Sequence, residues 1–294
     1  MERREYQLRD GKMSALHFGD ISKPVKLVFL HANGFNALSY RLVFERLNIH
    51  SVIFDMRGHG HSRHMPQDPE LKNWHVFRDD CIEFFERYLP DSINAPPILA
   101  GHSFGAVSAA LAAPFLKGRI KGYVGFDPVS VPLLFRLFSF LPVGRAFLGQ
   151  RIPIARKAAQ RRSVFDSPEQ AFTHWHGRGA FKHMSDDTLR DYIEGGLFQT
   201  QGDQWELACA PIWERRIFIA QWHNIFKAAR DLPNQSKIIY AGGRQVVSTP
   251  GTRSAMQKAQ PNIDVRFDPN IDHLFPFYQA ELAIDAINEV LGKI

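Results

Sequence analysis

Cysteine is nearly missing from this 294-residue chain, which has only Cys81 and Cys209. That excludes a disulfide framework and a cysteine-based zinc site, and it points to a reducing compartment. Long apolar runs are missing as well. The richest stretch, VPLLFRLFSFLPVG at 131–144, falls short of the roughly 18 apolar residues a membrane crossing needs and carries Arg136. The opening MERREYQLRDGKMS has charges but no apolar core or small-residue cleavage site, so no secretory signal is expected and the expected location is cytoplasmic. Zinc-finger spacing, interleaved aromatic and basic residues and a basic tail are all lacking, which argues against a nucleic-acid partner. Neither an internal repeat nor a low-complexity tract occurs. The chain reads as globular, either one α/β domain with an insertion or two modest domains.

Charge of both signs is present, 36 Lys and Arg against 30 Asp and Glu, for a formal +6. Such a balance permits anion contacts without requiring them. Arginines gather in RIPIARKAAQRRS at 151–163. A solvated helix face is the plain reading there, and contact with lipid head groups or an acidic substrate is the alternative. The expected partner is a small-molecule substrate, and oligomeric state is not legible.

Residues 1–19 alternate as a hairpin would, with a turn at Asp10-Gly11. Buried-strand runs follow at 26–31 (KLVFLH), 51–56 (SVIFDM), 97–101 (PILAG), 120–127 (IKGYVGFD), 236–242 (SKIIYAG) and 264–268 (DVRFD). Helical patterns lie between several of them. In WHVFRDDCIEFFERYL, Phe77, Cys81, Phe84, Phe85 and Tyr88 share one face at three- and four-residue steps. Alternating strands and helices predict an α/β fold, a mainly parallel doubly wound sheet covered on both faces. Residues 130–233 break the alternation. They carry Phe135, Phe138, Phe147, Trp175, Phe181, Trp205, Trp213, Trp222 and Phe226 without a strong strand pattern, and read as a helical cap inserted into a core of residues 1–129 and 234–294. Most of these rings are expected in the cap's own core or packed against the main domain, a minority in a pocket between them.

Gly101-His102-Ser103-Phe104-Gly105 sits between an apolar strand and a helix of small residues. A serine on so sharp a turn is exposed above the carboxyl ends of the strands, and the helix start aims its N–H groups at any negative charge formed there. The flanking glycines spare the corner steric clashes. Capping the helix is the simpler role for a serine in that place, and the strand–turn–helix context weighs against it.

Four motifs in order resemble the α/β-hydrolase superfamily over nearly the whole chain: LVFLHANGFNALSY, FDMRGHGHS, GHSFGA and DPNIDHLFPF. The resemblance implies Ser103 as nucleophile and His273 as its base. It also implies the backbone N–H of Phe104 as one oxyanion donor, with the other on the Ala32-Asn33 loop. Ala32 stands where the family has glycine, and Asn33 is the second donor expected, by backbone or side chain. His31 is expected to support the loop. His59, His61 and His64 lie close together, but no cysteine or carboxylate completes a metal spacing, and polar turn residues are the simpler reading. The same turn takes Asp55, Arg57, Gly58 and Ser62 as scaffold. His174, His176 and His183 fall in the cap.

The acid that steadies the histidine is missing from its usual place. After the strand at 236–242 the family's slot falls on or near Gln245, and no carboxylate occurs from Leu232 to Gln260. Asp127, ending the strand that follows the elbow helix, keeps the order Ser…Asp…His and becomes the expected acid. Asp272, next to His273, is a weaker candidate because neighbours in a loop rarely point at each other.

The expected function is hydrolysis of a carboxylic ester or related acyl bond of an apolar small molecule through an acyl-enzyme, with no cofactor and no metal. Serine at the elbow excludes dehalogenases and epoxide hydrolases, which resemble this chain but use aspartate there. Three alternatives stay open. One is a carbon–carbon bond hydrolase whose substrate carboxylate meets Arg178 or Arg215. The others are a cofactor-free oxidative enzyme and a small-molecule-binding protein that has lost catalysis.

Overall fold

A computed structural model of the protein describes residues 1–243 and 246–292. The main sheet contains β1 (Glu2–Leu8), β2 (Gly11–Phe18), β3 (Leu27–Leu30), β4 (Ser51–Phe54), β5 (Ile98–His102) and β6 (Gly122–Phe126). A small second sheet is built from β7 (Val164–Phe165), β8 (Leu197–Gln199) and β9 (Trp205–Leu207), and the main sheet resumes with β10 (Ser236–Ala241) and β11 (Asp264–Asp268). The eight main strands run in the order β1-β2-β4-β3-β5-β6-β10-β11. β1 and β2 form an antiparallel hairpin and β2 pairs antiparallel with β4, whereas every pairing from β4 to β11 is parallel. In the hairpin Leu8 pairs with Gly11, so the turn residues are Arg9 and Asp10, one position earlier than expected.

Every residue of β3, β4, β5 and β6 is buried, as strands covered on both faces must be. Successive side chains alternate between two cores: Val28 and Leu30 enter one with Phe77 and Phe84, Leu27 and Phe29 the other with Phe44 and Ile287. The covering helices are α1 (Arg41–Leu47), α2 (His75–Tyr88) and α3 (Phe104–Ala112). On α2, Phe77, Cys81, Phe84 and Phe85 are buried on the face their spacing predicts.

Between β6 and β10 come α4 (Leu133–Phe140), α5 (Pro142–Arg151), α6 (Pro153–Ala159), α7 (Pro168–Trp175), α8 (Asp186–Gly196), α9 (Pro211–Ile219) and α10 (Ile225–Ala229). The chain closes with α11 (Pro250–Ala259) and α12 (Ala280–Leu291). Two corrections arise in the long β6–β10 segment. It is not wholly helical, because β7, β9 and β8 pair antiparallel. Strands of two or three residues are too short to display a period. Nor are its aromatic residues all packed away. Trp175, Phe181 and Trp213 are buried, but Phe138, Phe140 and Phe147 are exposed. Among the described residues no helix is long and apolar enough to cross a membrane.

Candidate active site

Ser103 stands between β5 and α3 with φ 55° and ψ −116°, a backbone region that strains any residue with a side chain. The surroundings hold it there. Its N–H donates to Phe126 O at 2.8 Å. A Cβ on Gly105 would come within 2.1 Å of Leu30 O, and one on Gly101 within 2.5 Å of the Gly105 backbone. Only glycine at both positions lets α3 sink against β3 and β5 and leave the hydroxyl at the corner.

His273 follows β11 and precedes the turn at Phe275–Phe277. Its Nε2 lies 2.9 Å from Ser103 Oγ and its Nδ1 2.6 Å from Asp127 Oδ2. An ionised carboxylate only accepts, so Nδ1 carries the ring proton and Nε2 is left to accept from the hydroxyl. Asp127 is fully buried at the end of β6, with φ 43°. Its N–H donates to Ile239 O at 2.7 Å and its Oδ1 accepts from Ala241 N at 3.1 Å. Those bonds lean it across to β10, so that it meets the imidazole from a neighbouring strand. Asp272, the weaker candidate, has its carboxylate close to Gly243, while the His273 Nδ1 is engaged by Asp127. Gln245 lies outside the described residues.

The Ala32–Phe35 loop lies beside this chain of three. Ala32 N donates to Tyr40 Oη at 3.0 Å, Gly34 N to His59 Nε2 at 3.1 Å and Phe35 N to Ala32 O at 3.2 Å. Among the described residues the Asn33 N–H is the loop amide left without an acceptor. The Asn33 side chain is committed elsewhere, donating to Glu214 O at 2.9 Å. Phe104 is the first residue of α3, so its N–H is one of the amides without an intrahelical partner.

His31 accepts from Met56 N at 2.9 Å and donates to Ala32 O at 2.8 Å. Burial lowers its pKa to about 4 and that of His59 to about 3, the latter helped by His31 itself, so both brace the loop as neutral rings. His102, just before the serine, accepts from Tyr40 Oη at 2.8 Å and donates to His273 O at 2.8 Å. One buried relay thus runs from Ala32 N through Tyr40 and His102 to the backbone of His273, tying three separate motifs together.

The family model described as "Alpha/beta hydrolase family" matches residues 27–286. The chain belongs to that family. No curated protein matches the sequence. Solved structures similar to this α/β-hydrolase include an E-2-(acetamidomethylene)succinate hydrolase, at 18% identity and TM-score 0.75 over 99% of both chains. Another is a thioesterase domain from the curacin biosynthetic pathway, at 15% identity and TM-score 0.78 over 98% of this chain and 99% of that one. A third is an esterase of Mycobacterium tuberculosis, at 18% identity and TM-score 0.73 over 99% and 92%. At such identities the likeness concerns the fold.

Two cavities of this α/β-hydrolase meet at Ser103, His273 and Asn33. The smaller, about 290 Å³, is walled by Trp74, Val129, Phe135, Ile152 and Ile217. The larger, about 610 Å³, takes Lys157, Arg161, Arg162 and Arg178 into its wall, with Glu214 as its one carboxylate. Arg161 was not singled out by sequence reasoning and holds the most built position. Its Nη1 lies 3.2 Å from Glu214 Oε2, Nη2 donates to Tyr192 Oη, and the guanidinium sits over the rings of Trp175 and Phe181 at 5.2 and 5.8 Å. Burial works against its charge, but Tyr192 and Glu214 more than offset that and hold it above its ordinary range. One arginine among 36 cationic residues carries no local signal, and only the fold shows which one turns inward. Of the two arginines nominated as carboxylate binders, Arg178 lines the larger cavity while Arg215 packs against Gly149 of α5.

Proposed function

We propose that the chain hydrolyses an acyl bond, foremost a carboxylic ester, of an amphiphilic small molecule. The observation that carries this reading is the chain Ser103–His273–Asp127 at the junction of an apolar cavity and a cationic one. Ser103 Oγ attacks the carbonyl carbon as its proton passes to His273 Nε2, and Asp127 stabilises the imidazolium through Nδ1–H. The carbonyl oxygen becomes an oxyanion received by the N–H groups of Phe104 and Asn33. Collapse breaks the acyl–oxygen bond, and the leaving alcohol takes the proton back from Nε2. Water, deprotonated by His273, then attacks the acyl-serine and releases the acid and the free hydroxyl. The apolar acyl chain fits the smaller cavity and an anionic portion of the alcohol the larger, where Lys157, Arg162 and Arg178 have no carboxylate in ion-pair contact among the described residues.

The test is fluorophosphonate labelling, located by mass spectrometry, on wild type, Ser103→Ala and Asp127→Asn. Wild type should be modified at Ser103, and Ser103→Ala should not react. Asp127→Asn should slow by ~10³–10⁴-fold, because the amide cannot stabilise the imidazolium. Undiminished labelling of Asp127→Asn would remove that residue from the site. No labelling of a folded wild type would overturn the acyl-enzyme. Turnover of a dienoic keto acid with no turnover of esters would transfer the site to carbon–carbon cleavage.

A further inference from the structure

Residues 133–147 are built inside out. On α4 the exposed positions are Leu133, Leu134, Leu137, Phe138 and Phe140, while Ser139 is buried. Leu141, Val143 and Phe147 carry the apolar face onto α5, and the rings of Phe138 and Phe147 meet edge to face at 5.6 Å. Leu134 and Val143 are each 80% exposed. Apolar residues scattered singly over a surface need no explanation, but a continuous patch of this kind marks a contact face.

Charge selects what the face contacts. From Pro128 to Phe165 the sequence contains no Asp or Glu, yet it carries Arg136, Arg145, Arg151, Arg156, Lys157, Arg161 and Arg162. Arg145 and Arg161 turn toward Glu70 and Glu214. Arg151, Arg156, Lys157 and Arg162 are exposed, and Arg151 lies over the Phe147 ring at 5.1 Å. Two copies of this chain meeting through the same face about a two-fold axis would set cations against cations. An anionic bilayer supplies both what the leucines and phenylalanines need and what the arginines need.

We propose that the α4–α6 face docks on an anionic lipid surface, with the α4 and α5 side chains entering the head-group boundary and Arg151, Arg156 and Lys157 at phosphate level. The eight residues of α4 are far too short to span, so the helix lies in the plane. Pro132, Phe135 and Ile152 also wall the smaller cavity, and Ile154 and Lys157 the larger, so docking would bring both cavity walls to the lipid. The docking does not depend on the chemistry at Ser103.

The full chain is to be co-sedimented with vesicles of phosphatidylcholine alone and with vesicles about one-third phosphatidylglycerol. Binding should be at least ~10-fold stronger on the anionic vesicles and should weaken with added salt. Leu134→Glu with Val143→Glu should lower it by ~10-fold or more, since both side chains would leave the acyl boundary. Arg151→Glu with Arg156→Glu should abolish the preference for anionic lipid. Thermal unfolding of each variant should match wild type, because all four positions are exposed. Indifference to anionic vesicles, or undiminished binding by the glutamate variants, overturns the proposal. A solution dimer that Leu134→Glu with Val143→Glu converts to monomer also overturns it, assigning the face to a second copy.

Discussion

Tyr40 reacts with nothing, yet its hydroxyl is the middle of the relay that joins the Ala32 amide to the His102 ring. It accepts from Ala32 N and donates to His102 Nδ1, and His102 in turn fixes the carbonyl of His273. Tyr40→Phe preserves the ring and its packing against Phe29 and Phe277 while leaving two buried polar groups unpartnered, each at a cost of ~1–3 kcal/mol. Because the relay sets the register of the Asn33 amide and of His273, the expected result is a fall in kcat of ~10-fold with little change in KM. Steady-state kinetics well below the melting temperature check this. A lower Tm with unchanged kcat would leave Tyr40 a structural residue only.

At the scale of elements, the elbow depends on α3 approaching β3 more closely than any side chain would permit. Gly105→Ala drives a Cβ into the carbonyl oxygens of Leu30, the last residue of the paired strand β3, and of His31 just after it, backbone atoms that cannot swing aside. Gly105→Ala should destabilise the fold by about 3 kcal/mol or more and lower Tm by roughly 6 °C or more. Gly202→Ala, where a Cβ meets nothing within 4 Å, is the control and should stay within about 0.5 kcal/mol. Equal melting curves for the two variants would contradict the packing argument.

The same contrast explains what could be read without coordinates. Parallel strands β3 to β6 and β10 were legible because each is a short run of buried, mostly apolar residues, and no observed bound differs from the expected one by more than two residues. The elbow was legible because strained backbone demands glycine at fixed spacing, and His273 was legible because DPNIDHLFPF resembles the family's last motif. Asp127 came into view through the family resemblance, because the usual slot holds no carboxylate and some members carry the acid at the end of the strand that follows the elbow helix. The outward face of α4 was not legible. An amphipathic pattern gives the direction of an apolar stripe relative to the helix, but says nothing about whether protein or something else lies against it. Arg161 was hidden for a different reason, because its role depends on residues 31 and 53 positions away in the chain.

For the whole molecule, five of the buried imidazoles, those of His17, His31, His59, His102 and His223, set its response to acid. Burial is the main cause of depression in each. It brings His17 and His31 to about 4, His59 and His223 to about 3, and His102 well below the ordinary 6.5. For His31, His59 and His102 the neutral form is also required by bonding, since each accepts a hydrogen bond on a ring nitrogen that protonation would block. A base whose pKa is lowered in the fold contributes stability above its unfolded value and loses it as pH falls toward the folded one. Below pH 6.5 the unfolded chain therefore takes up protons that the native state refuses, and each imidazole removes about 1.4 kcal/mol per pH unit. Asp191, raised to about 6 chiefly by burial, and Asp80, raised by burial despite Arg57, act in the opposite sense. The depressed imidazoles outnumber the raised carboxyls, so the net effect of acid is a loss of stability, and a typical stability of ~5–15 kcal/mol leaves little reserve against it. Urea unfolding at stepped pH should thus show stability nearly level above about pH 7.5 and falling below pH 6.5, with a net uptake of protons on unfolding. A stability that holds level down to pH 5 would mean that these rings are hydrated or protonated in the native state, and would contradict the burial assigned to the loop beneath Ser103.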